Sequence, residues 1–107
     1  MKTYVVPHDK YKTDIIFRKE KSGDFKGEIS AMFPHEVCEH SGNVTCYVHI
    51  GQHCSANYNH CIQKTVPAIK SEYMDLYREL SDIGYNINIV KRQNYDKYLK
   101  SYKTINH

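Results

Sequence analysis

Two histidine–cysteine pairs, His53-Cys54 and His60-Cys61, stand seven residues apart near the middle of the chain. Imidazole nitrogen and thiolate sulfur are the ligands that zinc prefers, and a structural zinc site needs four of them. Seven residues make about two helical turns, so matching members of the pairs would share a face if this segment were helical. The four residues are therefore candidate zinc ligands. Three more potential donors precede them: Cys38, His40 and Cys46. The alternative is that Cys46 and Cys61 are buried as small apolar residues.

Cys54 is also a candidate catalytic nucleophile. Gly51 follows a predicted strand and Ser55 is a predicted helix N-cap, which would place Gln52, His53 and Cys54 at the N-terminal end of a helix. The partial positive charge of a helix N-terminus lowers the pKa of a nearby thiol. Three histidines are candidates for the general base: His35, His49 and His53. In the alternative interpretation, residues 52–54 form a structural turn, with Gln52 and His53 bonding to backbone groups.

The end of the chain carries most of the positive charge. The whole protein has a net charge of +3, but residues 91–107 contain five basic side chains and only Asp96 against them. The segment therefore carries +4, and the other 90 residues carry −1. Lysines and tyrosines together could neutralise phosphates and stack on bases, so this tail is a candidate nucleic-acid surface. Its candidate residues are Lys91, Arg92, Tyr95, Lys97, Tyr98, Lys100, Tyr102 and Lys103.

The same residues, together with Tyr47 and His49, form a candidate protein-binding surface. The chain contains ten tyrosines and no tryptophan, and tyrosine is favoured at interfaces because it supplies contact area with little conformational entropy to lose. We expect tyrosine rings to be buried by the partner while lysines attract an acidic surface. The partner would be another protein, as for an inhibitor, or a second copy in a homodimer. The alternative is a purely structural role, in which the tail is a helix whose tyrosines pack on the sheet.

Hydrophobic patterning predicts the elements that position these residues. Residues 14–19 and 28–33 alternate and form a hairpin, and Pro34 is predicted to end its second strand. Residues 44–50 alternate with Val44 and Cys46 on one face and Tyr47 on the other. A short helix is predicted from Ser55 onward, followed by a linker over residues 63–68. Residues 69–83 carry an apolar stripe that includes Ile69, Leu76 and Leu80, and Gly84 stands where a helix C-cap belongs. Residues 85–89 alternate again, and residues 93–107 have helical periodicity.

This order of elements predicts an α+β fold. We expect a three- to four-stranded antiparallel or mixed sheet, in the order β-β-β-α-α-β, with the helices packed on one face. The predicted boundaries are an N-terminal arm over residues 1–13, one domain over residues 14–92, and a basic, tyrosine-rich tail over residues 93–107.

Several segments resemble a family of small uncharacterised proteins of bacteriophages and anaerobic gut bacteria. They are DIIFRK, AMFP, YVHIGQH with its GQH turn, residues 56–58, TVPA, and EYMDLYRELSDIGYNINIVKR with its IGY strand. The resemblance covers about residues 14–92. It implies a single compact domain and a phage or mobile-element origin, and it implies nothing about catalysis.

Composition sets the remaining expectations. Forty per cent apolar and 25% charged residues are ordinary for a globular chain. No apolar run approaches the roughly 20 residues that span a bilayer, and the N-terminus lacks a secretory signal. We therefore expect a cytoplasmic protein whose four cysteines are reduced thiols, with no cofactor and no membrane partner. The favoured function is non-enzymatic binding of a macromolecule. The alternatives are a nucleic-acid-binding accessory protein and a zinc- or cysteine-dependent activity centred on His53 and Cys54.

Overall fold

The computed structural model describes residues 12–48 and 52–106, and these form an α+β fold, as predicted. The strands in this part of the chain are β1 (Thr13–Glu20), β2 (Ile29–Val37), β3 (Val44–Val48), β4 (Gln52–Ala56), β5 (Thr65–Pro67) and β6 (Ile87–Ile89). The helices are α1 (Tyr58–Lys64), α2 (Lys70–Ile83) and α3 (Tyr95–Ile105). None of these helices is long and apolar enough to cross a bilayer.

All six strands belong to one mixed sheet. Strands β4, β3, β2 and β1 pair antiparallel in that order, with Phe17 opposite Ala31 in the central pair. The outer side of β1 has two partners. Strand β5 pairs antiparallel with the C-terminal half of β1, and β6 pairs parallel with its N-terminal half. The last strand and the first are therefore neighbours.

Helices cover both faces of the sheet, so the prediction that they pack on one face is wrong. Helix α2 buries Leu76 and Leu80 against one face, where the sheet contributes a set of large apolar residues: Ile15, Phe17, Ala31, Phe33 and Tyr47. Helices α1 and α3 pack on the other face, against Ile16, Met32, Val37 and Val44. The two central strands are thus buried on both sides, which is why Ile15, Ile16 and Phe17 are all apolar in succession.

The strand predictions differ from the structure in three places. Pro34 does not end β2, because the strand continues to Val37 with an irregular register between Met32 and Val37 that accommodates the proline. Strand β4 occupies residues that were predicted as a turn and a helix start. Strand β5 lies in the predicted linker, where it makes only three pairs with β1. The prediction of a sharp turn at Gly51 lies outside the described residues, as does the predicted arm up to residue 11.

Helix α2 shows how local signals set its ends. The backbone N–H of Ile69, its N-cap, donates to Oε1 of Glu72 at 2.9 Å, which satisfies an amide at the helix start. Gly84 ends the helix with φ of +127°, and its N–H donates to the carbonyl of Leu80 at 3.2 Å. Ile69 was predicted to belong to the buried stripe, but it is 63% exposed, because the chain enters the helix there at the surface.

Candidate functional site

The structure places His53 and Cys54 in the middle of β4, away from any helix N-terminus. Helix α1 begins two residues later than predicted, and its N-cap is Asn57, whose Oδ1 accepts from the His60 N–H at 3.0 Å. Ser55, the predicted N-cap, instead donates its hydroxyl to Oε2 of Glu39 at 2.7 Å. The helix-dipole argument for an activated Cys54 thiolate is therefore wrong.

Cys54 forms a disulfide with Cys46, its directly opposite partner on β3. The two Cα atoms are 5.0 Å apart, within the range that a disulfide spans. The prediction of four reduced thiols is wrong for this pair, and a sulfur in a disulfide is not available as a nucleophile. Cys38 and Cys61 are free thiols. Burial raises the pKa of the Cys61 thiol, which disfavours its nucleophilic form.

The two histidine–cysteine pairs do not share a helical face. His53 and Cys54 lie on a strand, whereas His60 and Cys61 lie on α1, so the seven-residue spacing has no helical meaning here. Across residues 12–48 and 52–106, no group of three or more histidine, cysteine, aspartate or glutamate side chains is placed to hold a metal ion.

His53 belongs to an aromatic cluster on the α2 side of the sheet. Its ring lies 4.8 Å from that of Tyr47, and its Nε2 is 3.0 Å from the hydroxyl of Tyr85. Tyr47 is 1% exposed and donates its hydroxyl to Oε2 of Glu79 on α2. Burial, together with the nearby Glu79 carboxylate, raises the pKa of Tyr47 to about 12. Tyr47 is thus a core residue, and its assignment to a binding surface is wrong; His49 lies outside the described residues.

The tail is an integral element of the fold. Residues 95–105 form α3 as the periodicity predicts, but Tyr98 and Tyr102 pack against the sheet. The hydroxyl of Tyr98 donates to the carbonyl of Gly42 at 3.0 Å, and Oγ of Ser101 accepts from the Val37 N–H at 2.9 Å. Tyr98 and Tyr102 therefore hold α3 to the sheet, as in the alternative of a purely structural tail. Tyr95, in contrast, is 65% exposed.

The basic residues of the tail are exposed, and one of them is paired with a carboxylate. Lys97 is held by Asp14, with Nζ 3.1 Å from Oδ2. Lys100 and Lys103 are exposed on α3, and Lys91 and Arg92 are exposed in the loop before it. Arg18 on the first hairpin adds no exposed charge, because it is buried and donates to Oγ1 of Thr65 at 2.9 Å.

A cleft opens where β5 and β6 diverge along the outer side of β1. Strand β5 pairs with residues 18–20 and β6 with residues 13–15, so the middle of β1 is left at the base of the gap. The volume of the cleft is about 400 Å³. Its floor includes Phe17, which stacks on Tyr73 with ring centroids 4.5 Å apart. We call this feature the Ile69–Ile89 cleft, after two exposed isoleucines among its lining residues.

The sequence contained only partial signals for this cleft. Ile69 was interpreted as a core residue and Ile89 as part of an alternating strand, and β5 was not predicted. Pro67 directly before the first isoleucine is a signal that the chain cannot enter α2 earlier. The position of β5 next to β6 depends on tertiary pairing with β1, which the sequence pattern does not show.

Comparisons with protein-family models, curated proteins and solved structures find no match to this chain. The resemblance to proteins of bacteriophages and gut anaerobes therefore stays a prediction.

Proposed function

We propose that this protein is a non-enzymatic binding protein that captures a segment of another protein in the Ile69–Ile89 cleft. The segment would carry an apolar anchor residue flanked by carboxylates. The observation that carries the proposal is the pairing of two exposed isoleucines around a preformed apolar floor, where the charged side chains among the described lining residues are basic.

The shape of the cleft supports an apolar anchor. Ile69 is 63% exposed and Ile89 is 45% exposed. Covering an isoleucine side chain fully contributes roughly 1.5–3 kcal/mol, so a partner that buries both gains substantial affinity. The floor is already ordered by the stack of Phe17 on Tyr73, so binding would require little rearrangement there.

The charge of the cleft supports an acidic partner. Among the described residues, the charged ones that line it are Arg18, Lys70 and Lys91, and all three are basic. Arg18 is engaged by Thr65, whereas the two lysines are exposed. Glu72, the carboxylate on α2 that is nearest to Lys70 in the sequence, is ion-paired with Lys19. Exposed lysines around an apolar centre orient an acidic segment and increase its rate of association.

A peptide array tests the proposal. Decapeptides would carry every pair of apolar residues at the centre, each pair flanked either by aspartate and glutamate or by lysine. We expect acidic-flanked peptides to bind, and the best of them would then be measured by fluorescence anisotropy. Ile69→Ala should weaken that peptide about tenfold, which corresponds to the loss of about 1.4 kcal/mol of apolar burial. Lys91→Glu should also weaken binding of that peptide, and the loss of affinity should be larger at low salt than at high salt because salt screens the charge.

Phe25→Ala is the matched control. Phe25 is 66% exposed, as much as Ile69, but it lies in the β1–β2 turn and does not line the cleft. Its loss should leave peptide affinity unchanged. The proposal is wrong if no acidic-flanked peptide binds better than its lysine-flanked counterpart. It is also wrong if the cleft proves to join two copies, so that the wild type sediments as a dimer and Ile69→Asp as a monomer.

The phage or mobile-element origin and the cytoplasmic location belong to the same proposal. Small proteins of this origin that bind a host protein would act in the host cytoplasm. The disulfide between Cys46 and Cys54 bears on the location, because a reducing cytoplasm keeps most thiols reduced. The oxidation state of this pair in protein recovered from cells is therefore an independent test.

A further inference from the structure

A second cavity, separate from the Ile69–Ile89 cleft, lies between the β2–β3 loop and the N-terminal ends of α1 and α3. Its volume is about 300 Å³, at the lower end of the range for small-ligand sites. The described residues that line it are all uncharged, and they combine aromatic rings with side-chain amides. We call it the tyrosine–amide pocket, after its principal lining residues: Tyr58, Tyr95, Tyr98, Asn57, Asn59 and Gln93.

We propose that the tyrosine–amide pocket binds a base of single-stranded nucleic acid. A base has a flat face that stacks on an aromatic ring and an edge that both donates and accepts hydrogen bonds. The pocket offers aromatic rings for the face of a base and amide groups for its edge, and its described lining residues carry no charge.

The aromatic side of the pocket is built around Tyr95. This ring is 65% exposed, and it is supported by Tyr98, whose ring centroid lies 6.2 Å away. Tyr98 is in turn fixed by its hydrogen bond to Gly42 and by its stack on Tyr102. The exposed ring of Tyr95 is therefore supported by Tyr98 and Tyr102, which makes it a suitable surface for stacking.

The polar side of the pocket retains hydrogen-bonding groups for a ligand. The side chain of Asn59 makes no hydrogen bond to another residue in the described part of the chain. Within residues 12–48 and 52–106, the Asn57 side chain bonds through its Oδ1, which accepts from the His60 N–H. The Gln93 side chain bonds there through its Nε2, which donates to the Pro34 carbonyl at 2.9 Å, and its Oε1 is an acceptor for a ligand. Amide groups that present both donors and acceptors match the edge of a base.

The positions of the lysines favour a nucleic acid over an uncharged sugar. Lys100 and Lys103 are exposed on α3, five and eight residues after Tyr95, which is about 7.5 and 12 Å along the helix axis. These positions could contact phosphates that flank a bound base. Two carboxylates are close in sequence to lining residues of the pocket: Asp96 follows Tyr95, and Glu39 precedes Ser41 by two residues. We therefore expect the electrostatic contribution to binding to be small and base stacking to dominate.

The test uses single-stranded octanucleotides, oligo(dT) and oligo(dA), titrated into ¹⁵N-labelled protein while NMR spectra are recorded. The side-chain amide signals of Asn57, Asn59 and Gln93 should shift. Tyr95→Ala should weaken binding about tenfold, the usual loss when one stacking ring is removed. Because this ring is exposed, the variant should fold normally. Asn59→Ala should weaken binding as well, and Phe25→Ala, which removes an equally exposed ring elsewhere, should not.

Salt dependence and the cleft variants separate the alternatives. With about two phosphate contacts, the logarithm of affinity should fall with the logarithm of salt concentration at a slope of about −1.4. Binding that survives Tyr95→Ala and Asn59→Ala but disappears with salt would be attraction of a polyanion, and it would overturn the proposal. So would binding of cellotriose in preference to the oligonucleotides. Ile69→Ala should leave oligonucleotide binding intact, so the proposal stands or fails independently of the cleft.

Discussion

The imidazole of His35 donates from Nδ1 to Oδ2 of Asp14 at 3.0 Å and connects three elements of the fold. Its Nε2 accepts from the backbone N–H of Asn94, the N-cap of α3, at 2.7 Å. A backbone N–H can only donate, so Nε2 must be unprotonated and the imidazole neutral. Burial lowers the pKa of His35, and the favourable effect of Asp14 does not restore it. The neutral ring thus fixes the start of α3 to the sheet.

We predict that this clamp makes stability depend on pH near 6. Because the folded-state pKa of His35 is lowered, the unfolded chain binds a proton more readily. The contribution of His35 is therefore fully present above its unfolded pKa of about 6.5, declines below that value, and is lost as the pH falls through the lowered folded-state pKa. Urea unfolding followed between pH 5 and pH 8 measures the effect. His35→Gln should destabilise the fold by about 1–2 kcal/mol at pH 7.5 and should flatten the pH profile.

His40→Gln is the control, since His40 is exposed and should leave the profile unchanged. Asp14 acts at lower pH. Its burial alone would raise its pKa, but hydrogen bonds from Asn88, Lys97 and His35 and the charge of Lys97 together lower it. That contribution is present above pH 3.8 or so and is lost as the pH falls through the folded pKa. A profile that stays flat from pH 5 to pH 8 in the wild type would contradict the clamp.

We predict that two cysteines, Cys38 and Cys61, are alkylated when the protein is unfolded without reductant, and four when reductant is added. Mass spectrometry counts them directly. The Cys46–Cys54 bond closes a loop with a sequence separation of eight, for which the chain-entropy model gives a stabilisation of about 2.5 kcal/mol. Cys54→Ser should lose about that much in urea unfolding, and Cys38→Ser should lose nothing measurable. Four alkylated cysteines without reductant would show that the bond is absent.

The sequence allowed β1, β2, β3, α2 and its Gly84 cap to be predicted, because each depends on local periodicity and turn chemistry. The helices on two faces could not be derived from alternation alone, although the unbroken apolar runs at residues 15–17 and 31–33 are typical of strands buried on both sides. Tyr47 was misplaced for a different reason. A tyrosine can be buried when its hydroxyl finds a partner, and that partner, Glu79, lies 32 residues away.

The candidate sites depended even more on tertiary structure. His53 and Cys54 were placed beside a helix because a polar segment after a glycine resembles a helix start. The pairing of Cys54 with Cys46 instead extends the sheet by one strand. Both proposed pockets combine segments that are far apart in the sequence, such as residues 67–73 and 89–91 in the Ile69–Ile89 cleft. Tyr95 and the basic residues of the tail are exposed, as its pattern predicted, whereas Tyr98 and Tyr102 pack against the sheet.

Gly42 provides a further prediction with an internal control. Its φ is +99°, and a Cβ atom there would lie 2.6 Å from the hydroxyl of Tyr98. Gly27 has a similar φ of +91° but open space around it. Gly27→Ala should therefore lower the free energy of unfolding by only about 1–2 kcal/mol, the conformational cost of a left-handed alanine. Gly42→Ala should lose at least 1 kcal/mol more, roughly the value of the displaced Tyr98 hydrogen bond. Equal losses in thermal or urea unfolding would show that Tyr98 does not approach the loop closely.

Arg18 joins β1 to the junction of α1 and β5, and we predict that its loss is among the most destabilising in the chain. Its Nη2 donates to the carbonyls of Ile62 at 3.1 Å and Thr65 at 2.8 Å, and its Nε donates to Oγ1 of Thr65. These carbonyls lie at the C-terminal end of α1, where they have no intrahelical partner and where a positive charge is favourable. Arg18→Met keeps the apolar stem but removes every donor, so buried carbonyls are left unsatisfied.

We expect Arg18→Met to lower the free energy of unfolding by about 3 kcal/mol, because a charged, buried group with three hydrogen bonds is removed. Arg18→Lys should recover only part of that loss, since one ammonium group cannot reproduce the planar fork that reaches three acceptors. Arg78→Met is the matched control, because the ion pair that Arg78 makes among the described residues, with Asp75, is exposed, and its loss should cost at most about 0.5 kcal/mol. Urea unfolding gives the three values, and amide exchange at Thr65 and Val66 locates the damage. Similar losses for Arg18→Met and Arg78→Met would show that the guanidinium does not hold α1 and β5 to the sheet.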